Sequence, residues 1–185
     1  MGFFDEFPDI EPESPAPHRP WDLPNAEIPG IVPTQTLMIG RTDQVAVAVT
    51  GLSAYAEGFE VFVTARIRPP GAAGGRESRP DRVMIQRSFR LGMLLSDGRK
   101  VFGERGGHDT EPTGPVLRAY MLGGLLHSHV SRWWAWPLPP AGPLEFVCEW
   151  PAFGIAESRT GIDAELILDA AGRSVSLWPE DDVAS

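Results

Sequence analysis

One cysteine, Cys148, in 185 residues leaves no intrachain disulfide and no cysteine zinc cluster. A lone thiol also fits a reducing compartment. Basic charge is scarce: 16 Lys and Arg face 25 Asp and Glu, for a net charge of −9. Such a surface repels a phosphate backbone, so nucleic acid is not an expected partner. No apolar run approaches the roughly 18 residues that a membrane-spanning helix requires, so no membrane association is expected. The opening residues, MGFFDEFPDI, have neither a basic n-region nor an apolar core, so a secretory signal is not expected. Gly2 is followed by Phe3-Phe4-Asp5-Glu6, with no Ser or Thr where a myristoylation motif needs one. The expected setting is therefore cytoplasmic. No internal repeat is visible, which excludes propellers and solenoids.

Catalytic motifs are missing as well. The glycine-rich stretch Pro69 to Asp81 lacks the Gly-Lys-Ser/Thr ending of a phosphate-binding loop, and no helical pattern follows it. Ser128, Ser131 and Ser158 lie in no Gly-x-Ser-x-Gly elbow.

Glycine and proline are plentiful, at 20 and 19 residues, and favour many turns between short elements. Between the turns, apolar residues recur with period two, the signature of a strand with one buried face. Val45, Val47 and Val49 alternate with Ala46 and Ala48, and Gly51 to Gly58 reads as a connection. Phe59 to Ile67 is the most regular strand, with Glu60, Phe62, Thr64 and Arg66 on its second face. A strand-like pattern from Val83 to Leu95 leads into Ser96-Asp97-Gly98, a hairpin turn, and Arg99 to Phe102 returns as its partner. The stretch Val116 to Val130 suits a strand or a helix until Gly123-Gly124 breaks it. Near the end, Asp163 can cap a short helix over Ala164 to Ala171, stopped by Gly172.

Ser131 to Gly154 holds four of the six tryptophans: Trp133, Trp134, Trp136 and Trp150. Aromatic residues on both faces before Pro137 suit a central strand. After the proline-rich corner, Leu144, Phe146, Cys148 and Trp150 form one face of a second strand, with Glu145, Val147 and Glu149 on the other. Proline cannot donate to a ladder, so Pro137 and Pro151 should end these strands.

These patterns predict an all-β fold: an antiparallel β-sandwich of about seven or eight strands with one short C-terminal helix and an extended N-terminal arm. Residues 1–33, with eight prolines, form the acidic arm; 34–179 form the sandwich domain; 180–185 form a polar tail. The arm carries Asp5, Glu6, Asp9, Glu11 and Glu13, and no base precedes His18. Such a segment buries too little apolar surface to offset its ordering entropy. Its aromatic residues still equip it to dock on a partner or on its own domain.

Several residues invite a chemical reading. Trp133, Trp134 and Trp136 are a candidate platform for a sugar ring or a proline-rich peptide. Phe3 and Phe4 of the arm are a candidate contact element. His127 and His129, two apart on a strand, would face one way and could share a metal, with His108 and Asp109 as further ligands. The commoner role for such histidines is solvent-facing or locally bonded. Cys148, between Phe146 and Trp150, reads as an inert buried thiol. Glu145 and Glu149 read as a solvated rim rather than a glycosidase pair.

The run WPLPPAGPLEFVCEWPAFGI, with FRLGMLLSDGRKVFG upstream, resembles uncharacterised bacterial proteins. The resemblance extends from the Val45 strand to Trp178. It implies a single compact domain and carries no activity or site.

The expected function is thus that of a non-enzymatic, soluble β-sandwich acting through protein–protein contacts, with a protein partner or self-association and no cofactor. The alternative is a carbohydrate-binding or metal-dependent β-sandwich enzyme using the tryptophan-rich strand or the His127/His129 pair.

Overall fold

Period-two alternation becomes a strand almost everywhere the sequence shows it. The computed structural model describes residues 19–69, 88–106, 111–125 and 127–178. Along the chain run β1 (Glu27–Ile28), β2 (Gly30–Ile31), β3 (Leu37–Arg41), β4 (Val45–Ala54), β5 (Phe59–Ile67) and β6 (Arg90–Leu94). Then come β7 (Lys100–Arg105), β8 (Val116–Leu125), β9 (Ser128–Trp136), β10 (Pro143–Trp150) and a single 3-10 turn over Pro151–Phe153. The chain closes with β11 (Ile155–Asp163), one helix α1 (Glu165–Ala171) and β12 (Val175–Ser176).

The fold is all-β, but its architecture corrects the expected sandwich. Among the described residues, ten strands join one continuous sheet that curls into a half-barrel, in the order β11-β10-β6-β7-β8-β9-β5-β4-β2, with β3 also paired to β4. β1 and β12 make a separate two-stranded sheet. The strand that joins the two halves is β7. Its first half, through Phe102, pairs with β6, and its second half, Gly103 to Arg105, pairs with β8. The second pairing is parallel, so the sheet is not wholly antiparallel as expected. The connection of residues 106–115 is longer than a hairpin turn and lets the chain return in the same direction. At the far ends of the sheet, β11 reaches β3 through side chains. The Ser158 hydroxyl bonds the Ile39 carbonyl, and Thr160 Oγ1 donates to the Met38 carbonyl at 2.8 Å.

One core fills the curl. Phe59, Val61, Leu117 and Trp133 from one half meet Leu91, Leu144, Phe146 and Trp150 from the other. Each large side chain so buried contributes roughly 1.5–3 kcal/mol. The buried indoles also find acceptors: Trp133 Nε1 donates to Ser131 Oγ at 2.8 Å and Trp150 Nε1 to Ser88 Oγ at 3.2 Å.

Local readings fare unevenly. Residues 59–67 form β5 over the whole expected range, and β9 is central between β8 and β5 as its two aromatic faces require. Gly98 takes φ 84°, and the Leu95 and Arg99 backbones close the turn at 2.9 Å. β4 runs on through Gly51 to Ala54 with a register shift, so the connection shortens to residues 55–58. β8 runs through Gly123-Gly124, which do not break it. A Cβ at Gly124 would lie 2.3 Å from the Ser128 carbonyl, so glycine there permits the tight approach to β9. Asp163 Oδ1 accepts the Glu165 N–H at 3.0 Å, but the N-cap position of α1 is Ala164, which makes no side-chain cap bond, so Asp163 is not the cap the sequence suggests. Gly172, at φ −64°, is not a left-handed stop. The chain also joins the fold before Thr34, since β1 and β2 both lie within the expected arm. The first part of the strand expected from Val83, most of the Pro69–Asp81 loop and the polar tail lie outside the described residues.

Candidate functional site

The sheet side turned away from the core is not uniformly polar. On β5 it carries Glu60, Phe62, Thr64 and Arg66; their partners on β9 are Trp134, Arg132, Val130 and Ser128. At one end this outer face is closed. Glu60, expected on a polar face, is 5% exposed. Ser53 Oγ and Tyr55 OH donate to its Oε2 at 3.0 and 2.8 Å, and Tyr120 OH bonds its Oε1. Three hydroxyl donors fill most of the roughly four acceptor sites of this carboxyl group, which is what makes its burial tolerable. Residues 21 and 22 lie over the same end. Trp134 Nε1 donates to the Trp21 carbonyl at 2.9 Å, the Trp21 and Trp136 rings meet edge-on at 6.4 Å, and Arg118 pairs with Asp22 at 3.2 Å. Burial, then the hydrogen bond to and charge of Glu60, pushes the Tyr120 phenol up to about 12. Tyr55 is pushed up by the same causes in the same order.

Among the described residues, the other end of this face is open and basic. Arg41, Arg66, Arg68 and His127 line a wide groove where β3, β4 and β5 end, beside Thr42 and Asp43. Arg66 bonds the Ser128 hydroxyl. Among the described residues, neither Arg41, Arg66 nor Arg68 pairs with a carboxylate.

A third place lies at the mouth of the half-barrel. Val63, Ala65, Phe89, His129 and Trp150 line a mainly apolar recess beside Leu122 and Arg105. It leaves about 40 Å³ for the centres of water molecules. Ligand pockets typically offer about 300–1,000 Å³, so this recess fits a single small side chain rather than a substrate. The His129 and Trp150 rings meet edge-on at 6.4 Å. The recess borders β8. That strand pairs with β9 along its length, but with β7 only from Leu117 to Ala119. Among the described residues, Tyr120 to Gly123 have β9 as their strand neighbour and none on the other side. Met121 and Leu122 there are 45% and 44% exposed, and Val130 beside them 43%.

The residues singled out in the sequence do not assemble as expected. Trp133 and Trp134 are 1% and 0% exposed, and Trp136 is half-buried, so the three present no open aromatic platform. From Trp133 to Trp136, β9 is covered on both faces: by the core on one, by residue 21 and Tyr55 on the other. His127 precedes β9 and lines the basic groove, whereas His129 lines the mouth recess. Same-side geometry needs both on one strand, and β9 begins at Ser128. Among the described residues no three His, Cys, Asp or Glu side chains gather as a metal site. Phe3, Phe4, His108 and Asp109 lie outside the described residues. Cys148 is fully buried, and burial, with the Glu149 charge second, pushes its thiol up to about 12. Glu149 pairs with Arg90 at 2.7 Å and Glu145 with Arg159 at 3.5 Å, both at the surface.

Sequence reasoning missed Glu60, the basic groove and the β8 edge. Only the first left a signal, a glutamate in an otherwise apolar stretch flanked by Tyr55. Among the described residues no helix is long and apolar enough to cross a membrane. Comparison with protein-family models, curated proteins and solved structures finds no match. Among the described residues, the fold is an all-β half-barrel in which β8, beyond Ala119, has a strand neighbour on one side only, beside an apolar recess.

Proposed function

We propose that this chain is a non-enzymatic protein-contact domain, and that its contact element is the part of β8 beyond Ala119. The carrying observation is that, among the described residues, Tyr120 to Gly123 have a strand neighbour on one side only, with Met121 and Leu122 exposed and a recess beside them. An extended segment of a partner, or of a second copy, can add a strand to such an edge. Main-chain hydrogen bonds then supply affinity, and a side chain entering the recess supplies selectivity. The recess admits one small apolar side chain, which favours a peptide over a substrate. A second exposed apolar group supports a life in contact with other proteins: Ile28 and Val175, cross-strand partners, are 53% and 57% exposed, and Trp178 is 68% exposed. We also infer a cytoplasmic setting, which suits the single, buried Cys148.

The test compares proteins retained from a cell extract by the wild-type chain and by Leu122→Lys, whose melting temperature should match wild type. A partner retained by the first and lost from the second, or a dimer lost on substitution, supports the reading. Equal retention by both contradicts it.

A further inference from the structure

The outer face of the sheet has a gradient that the fold itself does not use. Its closed end holds Trp21 and Asp22; its open end holds Arg41, Arg66 and Arg68. Between them lie Phe62, with Arg132 Cζ 5.0 Å from its ring centre, and the exposed side chains of Met38 and Val130. Apolar patches thus alternate with cations that pair with no carboxylate among the described residues, on a protein whose net charge is −9.

The chain supplies the complement. Before Arg19 it carries Phe3, Phe4 and Phe7 among Asp5, Glu6, Asp9, Glu11 and Glu13, with no lysine or arginine. The chain enters the described structure on the right face. Trp21 packs against Trp134 and Trp136, and Arg66 lies on that same side, opposite Ser128. From Trp134 to Ser128 along β9 is about 20 Å at strand rise. The stretch from Glu13 to Trp21 can span up to roughly 26–29 Å. The acidic block therefore reaches the basic groove without strain.

We propose that residues 3–13 of the same chain dock along this outer face, with their carboxylates at Arg41, Arg66 and Arg68 and their phenylalanines over Met38 and Val130. Tethering makes the encounter intramolecular, at an effective concentration in the millimolar range. The contact between charges is exposed, so it weakens with salt. Val130 borders both this face and the recess beside β8, whereas Arg41, Arg66 and Arg68 line a groove apart from that recess.

The test is paramagnetic relaxation in the full chain, with a nitroxide on Glu11→Cys and buried Cys148 left in place. Methyl signals of Met38 and Val130 should relax several-fold faster than that of Val147 on β10. The excess should vanish at high salt and in the Arg41→Gln/Arg66→Gln/Arg68→Gln variant, while amide exchange in residues 120–125 stays unchanged. Equal relaxation at Val130 and Val147 would overturn the docking. Equal enhancement when the nitroxide and the isotope sit on different chains would overturn the same-chain placement and assign the face to a second copy.

Discussion

Glu60 on β5 and Glu149 on β10 stand on strands with the same alternation, each opposite a row of buried side chains, yet their surroundings differ. Glu60 is 5% exposed and accepts from three hydroxyls. Glu149 is at the surface beside Arg90, with side chains 36% and 72% exposed. The strands do not explain the difference. What passes over them does: Tyr55 and Tyr120 close over Glu60, residues 21 and 22 lie against the neighbouring β9 and β8, and nothing described closes over the outer face of β10. Alternation assigns a residue to a face, and only tertiary packing decides whether that face is wet.

The comparison can be broken from the inner face outward. Phe146→Ala empties a fully buried ring site on β10 and should cost on the order of 3–5 kcal/mol in urea unfolding. A loss below about 1 kcal/mol would mean that β10 is misfaced. Glu60→Ala leaves three hydroxyls facing a void and should cost on the order of 2–4 kcal/mol. Glu60→Gln, which keeps an acceptor, should lose less.

The same contrast has an optical signature. Tyr55 and Tyr120 are the only tyrosines, and both donate to Glu60. Absorbance titration of the folded protein should therefore show no phenolate midpoint near the ordinary 10.0; Tyr120 should ionise near 12. Because the folded value is raised, the stability it supplies is complete below about pH 10 and is lost as pH rises towards about 12. A midpoint near 10 in the folded protein would show the hydroxyls facing water. The smallest effects belong to the open rim. Glu149→Ala and Glu145→Ala should each change stability by no more than about 0.5 kcal/mol. A larger loss at either would remove the distinction from Glu60.

These residues also mark how far sequence reaches. The Phe59–Ile67 strand, the Asp97-Gly98 turn and the inward row Leu144, Phe146, Cys148 and Trp150 were legible because local alternation and turn chemistry decide them. The single curled sheet was not legible, because it depends on β7 pairing two different neighbours, one of them in parallel. Gly123-Gly124 suggested a break, yet the glycines let β8 approach β9. The tryptophan platform failed because Trp134 is covered by residue 21, 113 positions away in the chain. The basic groove was hidden for the same reason: Arg41, Arg66 and His127 meet only in the folded sheet.

The protein-contact reading rests on the edge of β8, and amide hydrogen exchange resolved by residue tests that edge without a partner in hand. In the isolated protein, amides of Tyr120 to Gly123 that point away from β9 should exchange far faster than those of Leu117 to Ala119, which lie between two strands. Protection of the whole strand to the level of Leu117 would show that the edge is already covered, and would contradict the proposed contact site.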